Sequence, residues 1–187
     1  MENDLESLKN ELCKLYPFVP LVFNEGRIGA QVMLIGEAPG EKEEAEGHPF
    51  VGKAGKNLDE FLTQSGIRRE DLFVTNAVKL RPSKTGKSGK KVNRPPTETE
   101  VRAFRPFLLR EIAIVRPKIV VTLGNVPLYA VTGEKTAIGL VHGKPQCFHQ
   151  YILYPMYHPA SVIYNRSLRD SYLSDVKRLG EMIHSHG

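Results

Sequence analysis

Apolar residues recur every three or four positions near the start of the chain. Leu5, Leu8, Leu12 and Leu15 form one stripe within a charged run from Glu2 to Tyr16. That spacing predicts a helix over 1–16, which Pro17 and Pro20 end. The pattern then changes to short continuous apolar runs, which predict buried strands at about 31–35, 72–76, 118–123 and 151–154. Helical patterns lie between and after them. One covers 54–65 and is closed by Gly66; another covers 97–115 and opens on the capping box Thr97-Glu98-Thr99-Glu100. A short helix follows Gly124-Asn125 and ends at Gly133, and a final helix covers 168–184. The alternation predicts an α/β fold of three layers (αβα) around a central parallel four-stranded sheet. No internal repeat and no dividing linker is visible, so residues 1–187 read as a single domain.

Composition adds a partner class. The chain of 187 residues suits one real core, and its 26 basic and 21 acidic side chains leave a net charge of +5. That balance permits a polyanionic partner. The bias is local: Lys79, Arg81, Lys84, Lys87, Lys90, Lys91 and Arg94 occur with no intervening acid. With Pro82, Gly86, Gly89, Pro95 and Pro96, residues 80–96 read as a long polar loop, either an arm that contacts phosphates or a solvated segment. No apolar run nears the roughly 18 residues of a membrane span, and no signal peptide is visible. Cys13 and Cys147 make no disulfide framework. A cytoplasmic monomer without a membrane partner is therefore the expectation. The histidines His48, His142, His149, His184 and His186 show no metal-ligand spacing, so no metal is expected.

The densest chemistry follows the first strand, from Gly36-Glu37-Ala38-Pro39-Gly40 to His48-Pro49-Phe50-Val51-Gly52 and Gly55. A buried strand delivers this loop to the carboxyl edge of the sheet, where open α/β folds place their sites. Glycine and proline fix its turns, and its clustered carboxylates are costly to gather unless something uses them. A solvated acidic turn is the plainer alternative. Two further segments end at the same edge: Phe73-Val74-Thr75-Asn76-Ala77-Val78-Lys79 and Tyr157-His158-Pro159-Ala160-Ser161.

Together these segments resemble the uracil-DNA glycosylase superfamily. They are closest to its bacterial and archaeal branch that usually carries an iron–sulfur cluster (family 4-like). That branch reads G-E-A-P-G-x-x-E, then G-x-P-F-V-G-x-A-G-x-x-L, then T-N-x-V-K, and late H-P-S/A. The resemblance covers about residues 30–183 and implies excision of uracil from uracil-containing DNA by hydrolysis of the N-glycosidic bond. Such an enzyme must draw the target nucleotide out of the stack into a pocket. Phe50 is the candidate to stack on the base, with a core phenylalanine as the alternative. The Asn76 amide can pair with O4 and N3–H of uracil, a pattern cytosine reverses. His158 is the candidate to donate to O2 as charge develops there. The resemblance makes Glu37, with the Ala38 carbonyl, the water-holding candidate. It sets Gly40 near the base and Glu43 near C5, against the thymine methyl. Ser161, Val162 and Ile163, with Tyr164, would enter the minor groove; a buried hinge is the alternative. Lys79, Lys84, Lys87, Lys90, Lys91 and Arg94 would contact DNA phosphates.

Departures from the branch also carry information. Its four cysteine ligands are missing: Leu80 and Phe104 stand at two of their positions, and Cys13 is at best a remnant of the N-terminal pair. The [4Fe–4S] cluster is therefore expected to be absent, with packing in its place. A cross-linking sub-branch has a nucleophilic histidine in a similar loop, where this chain has Asn93. An amide is no comparable nucleophile. The alternatives are a glycosylase for another deaminated base, hypoxanthine or xanthine, and a catalytically weak nucleic-acid-binding module.

Overall fold

The computed structural model describes residues 2–185, so His186 lies outside the described residues. Helix α1 (Glu2–Leu15) buries Leu5, Leu8 and Leu12, while Leu15 is left exposed. Strands β1 (Val32–Gly36), β2 (Leu72–Asn76) and β5 (Ile119–Leu123) are buried at every position. They pair in parallel with one another and with β7 (Tyr151–Met156).

The sheet has five strands in the order β2-β1-β5-β7-β6, not four. The fifth, β6 (Gln146–Phe148), is antiparallel to β7. Three residues between Pro145 and a turn give no periodicity to read, which is why the sequence pattern hides it. Its pairing stops at Leu153 of β7, so Pro155, beyond it, removes no donor that this side of the sheet would use.

Successive strand residues face opposite layers, as the pleat requires. Met33, Ile35, Phe73 and Val120 pack against α1, α4 (Glu98–Val115) and α5 (Asn125–Thr132). Val32, Leu34, Val74 and Val121 pack against α3 (Lys53–Gln64) and α8 (Arg169–Ser185). Helix α4 opens as its sequence predicts: Thr97 Oγ1 accepts from Glu100 N–H, and Glu100 accepts from Thr97 N–H at 2.7 Å.

Two predicted loops contain structure. Helix α2 (Glu41–Glu46) interrupts the 36–55 segment; it buries no side chain, so it has no apolar stripe to betray it. The basic stretch is a hairpin of β3 (Ser83–Thr85) and β4 (Lys91–Asn93). Short helices α6 (Ile138–Val141) and α7 (Pro159–Tyr164) complete the chain.

Candidate active site

The carboxyl ends of β1, β2 and β7 open on a cavity of about 560 Å³. Phe50, Asn76 and His158 line it together, with Ala38, Gly40 and Glu43. Three segments distant in the chain thus converge as the sequence predicts.

Gly36, the last residue of β1, makes the convergence possible. A Cβ there would lie within 2.4 Å of both the Asn76 amide oxygen and the Phe50 ring. Phe50 itself is 6 % exposed and adopts a left-handed φ of 57°, a rare conformation for a bulky residue. Arg69 holds it there. Its guanidinium donates to the carbonyls of Pro49 and Phe50 and pairs with Asp59 and Glu25. Phe50 therefore belongs to the core and forms a cavity wall at once; the two readings of it do not exclude each other.

Asn76 closes β2 opposite Gly36 and is 4 % exposed. Its main-chain carbonyl accepts from the Lys79 ammonium at 2.9 Å. That ammonium is 1 % exposed and pairs with Glu111 at 2.7 Å, with Thr75 as a further partner. Lys79 is therefore not the phosphate contact that its place in the basic run suggests. It is an internal brace for the strand end that carries Asn76.

His158 caps α7. Its Nδ1 accepts from Ala160 N–H at 3.1 Å, so the proton of the neutral ring sits on Nε2. Burial pushes its pKa down to about 4. At neutral pH the residue is thus an uncharged imidazole with one free donor. The Phe50 and His158 rings lie 6.4 Å apart at 25°, nearly parallel. Glu37 follows β1 but does not line the cavity, whereas Ala38 does. Burial raises the Glu37 pKa.

Glu43 differs from its expected use. Its two carboxylate oxygens accept from Gly40 N–H at 3.1 Å and Gly52 N–H at 2.7 Å. It clamps the two ends of the loop, with one edge still on the cavity. In the 158–164 segment, Val162 is buried in the core beneath α3 and α8, so it is no wedge. Ser161 lies in α7 off the cavity lining. Ile163, 43 % exposed, and Tyr164, 89 % exposed, stand at the rim instead.

The hairpin carries Lys84 and Lys91 on its strands and Lys87 and Lys90 in its turn, all exposed. Arg94 does not join them: both its terminal nitrogens bind Glu100, at 2.7 and 2.8 Å, and Nε donates to the Ser83 carbonyl. It staples the base of the hairpin. The sequence marks Asn93 only as a missing nucleophile, yet it lines the cavity, as do Lys42 and Lys53. No local pattern marks these three as cavity groups; the hairpin and the α2 and α3 termini bring them in. A second hollow of about 400 Å³, beside Val126 and Tyr129, lacks comparable groups, because its Glu98 is tied to Arg102 and Lys135.

The profile of the Uracil DNA glycosylase superfamily matches residues 23–178. A type-4 uracil-DNA glycosylase of Sulfurisphaera tokodaii is 39% identical, covering 96% of this chain and 85% of its own. One of Saccharolobus solfataricus is 38% identical over 96% of this chain and 84% of its own. One of Thermotoga maritima is 39% identical over 89% and 85%.

Proposed function

The chain belongs to the uracil DNA glycosylase superfamily, and on that premise we propose that it excises uracil from DNA in base-excision repair, hydrolysing the N-glycosidic bond. The observation that carries this reading is the meeting of Phe50, Asn76 and a neutral His158 in one cavity.

Each group has a task there. A base drawn out of the stack lies against the Phe50 ring. The Asn76 amide offers one acceptor and one donor edge, which match N3–H and O4 of uracil and oppose those of cytosine. As the glycosidic bond lengthens, its electrons move into the base and negative charge grows on O2. The His158 Nε2–H stabilises that charge without a proton having to be lost elsewhere first. The sugar, left electron-poor at C1′, takes a water oxygen, and the water's proton leaves to solvent, because Glu37 lies off the cavity lining.

The reading includes no iron–sulfur cluster. A [4Fe–4S] group needs four thiolates, and the chain has two cysteines, Cys13 and Cys147, both exposed. At the two expected ligand positions, Phe104 stacks on Tyr16 at 5.0 Å and Leu80 bridges to Leu21. These residues do not fit the cluster. Among the described residues no helix is long and apolar enough to cross a membrane. The same reading keeps the protein a cytoplasmic monomer, in line with its two free, exposed cysteines.

The test is a strand-cleavage gel. Oligonucleotides bearing uracil, hypoxanthine or xanthine, single- and double-stranded, are incubated with the protein and then with alkali. Cleavage of the uracil substrates only after alkali is expected. Breakage without alkali would indicate a lyase instead, and no breakage at all would reject the reading.

A further inference from the structure

Arg81 lies between the cavity and the arm, with only 6 % of its side chain exposed. Nε donates to Asn93 Oδ1 at 2.7 Å. One terminal nitrogen pairs with Glu44 at 3.1 Å, and the other reaches Glu41 at 3.3 Å and the Lys91 carbonyl at 3.5 Å. A single guanidinium therefore joins α2, at the glycine-rich turn, to β4 of the arm.

This contact decides what Asn93 shows to the cavity. A guanidinium has donors and no acceptor, so only the amide oxygen of Asn93 can face it. Nδ2 is then turned the other way, toward Gly40, where it lies 3.2 Å from the point a Cβ on that glycine would occupy. We infer that Arg81 is a positioning residue that fixes Asn93 as a hydrogen-bond donor to an oxygen of the nucleotide held in the cavity. The inference rests on the uracil-excision reading of that cavity. Asn93 is otherwise exposed, and an unanchored amide there would rotate freely and present oxygen as often as nitrogen. Glu41 and Glu44 hold the guanidinium in turn, so the orientation is set from α2 and not by the arm alone.

The experiment is a double-mutant cycle in single turnover with saturating enzyme on a uracil oligonucleotide. Asn93→Ala and Arg81→Gln should each slow base release about tenfold or more. The double variant should be no slower than the slower single one, because the two residues act as a unit. Asn93→Asp keeps the partner for Arg81 but offers oxygen only; it should lose as much as Asn93→Ala. Independent, multiplying losses in the double variant, or a wild-type rate for Asn93→Asp, would overturn the assignment. A second readout needs no activity. In wild-type protein labelled with 15N, the Asn93 side-chain NH2 resonances should report an ordered group by 15N relaxation, and Arg81→Gln should make that group mobile; an NH2 equally ordered in the variant would also overturn it. If wild-type protein releases no uracil, the excision reading fails on its own, while the Asn93 resonances still decide whether Arg81 sets the amide.

Discussion

His158 carries the sharpest consequences at the scale of single residues. Replacing it with alanine removes the donor aimed at O2 of the leaving base. The cleavage rate should fall by about two orders of magnitude in single turnover, and a wild-type rate would make the residue structural. Its titration gives a second check. The unfolded chain protonates this ring near pH 6.5, and the folded protein only near pH 4. Between those values the unfolded state binds more protons, so stability falls as pH drops from about 6.5 to about 4. Melting temperature followed across that window should decline, and His158→Gln should flatten the decline. Asn76→Asp should weaken uracil excision, because an ionised carboxylate offers acceptors only and loses the donor for O4; equal rates on uracil would remove Asn76 from recognition. These residues are legible because strand ends and glycine-rich turns announce themselves locally. Lys79 misleads for the opposite reason. Nothing in a run of basic residues tells that one of them turns inward to Glu111, which is distant in sequence.

Among the elements, the hairpin β3–β4 is the clearest device of this chain. Arg81 and Arg94 fix its base, and it presents four exposed lysines, none of them in the cavity lining. Joint replacement of Lys84, Lys87, Lys90 and Lys91 by serine should weaken DNA binding regardless of sequence. The salt dependence should flatten by close to one counterion for each phosphate that the hairpin ceases to neutralise. Base release by saturating enzyme should change little. An unchanged salt slope would mean that these lysines touch no phosphate. Elements with a continuous apolar run, such as β1, β2 and β5, or a capped apolar stripe, such as α4, can be placed from the sequence to within a residue or two. Those held by caps and side-chain clamps cannot: α2 rests on Glu43 and the left-handed Gly47, and the hairpin on two arginines. Such anchoring leaves no hydrophobic period to detect.

At the scale of the whole molecule, the layer of α1 and α4 packs rings and leucines against the sheet, with Tyr16 on Phe104, and under the function proposed above this packing stands in place of a cluster. Purified protein should be colourless and contain no stoichiometric iron; broad visible absorbance with bound iron would contradict the reading of Leu80 and Phe104. Underneath the same layer, Lys79 and Glu111 give the molecule a response to heat. Removing one partner, as in Lys79→Met, should cost about 3–5 kcal/mol because it strands the other's charge in the core. Replacing both, as in Lys79→Met with Glu111→Leu, should be close to neutral at room temperature. The hydration that a buried ion pair gives up becomes less favourable as temperature rises, so the pair's own penalty shrinks on warming. Compared with its apolar double variant, the wild-type protein should therefore gain ground degree by degree in a calorimeter. The end of β2 that carries Asn76 would then lose less of its hold on warming than it would with an apolar pair in that place.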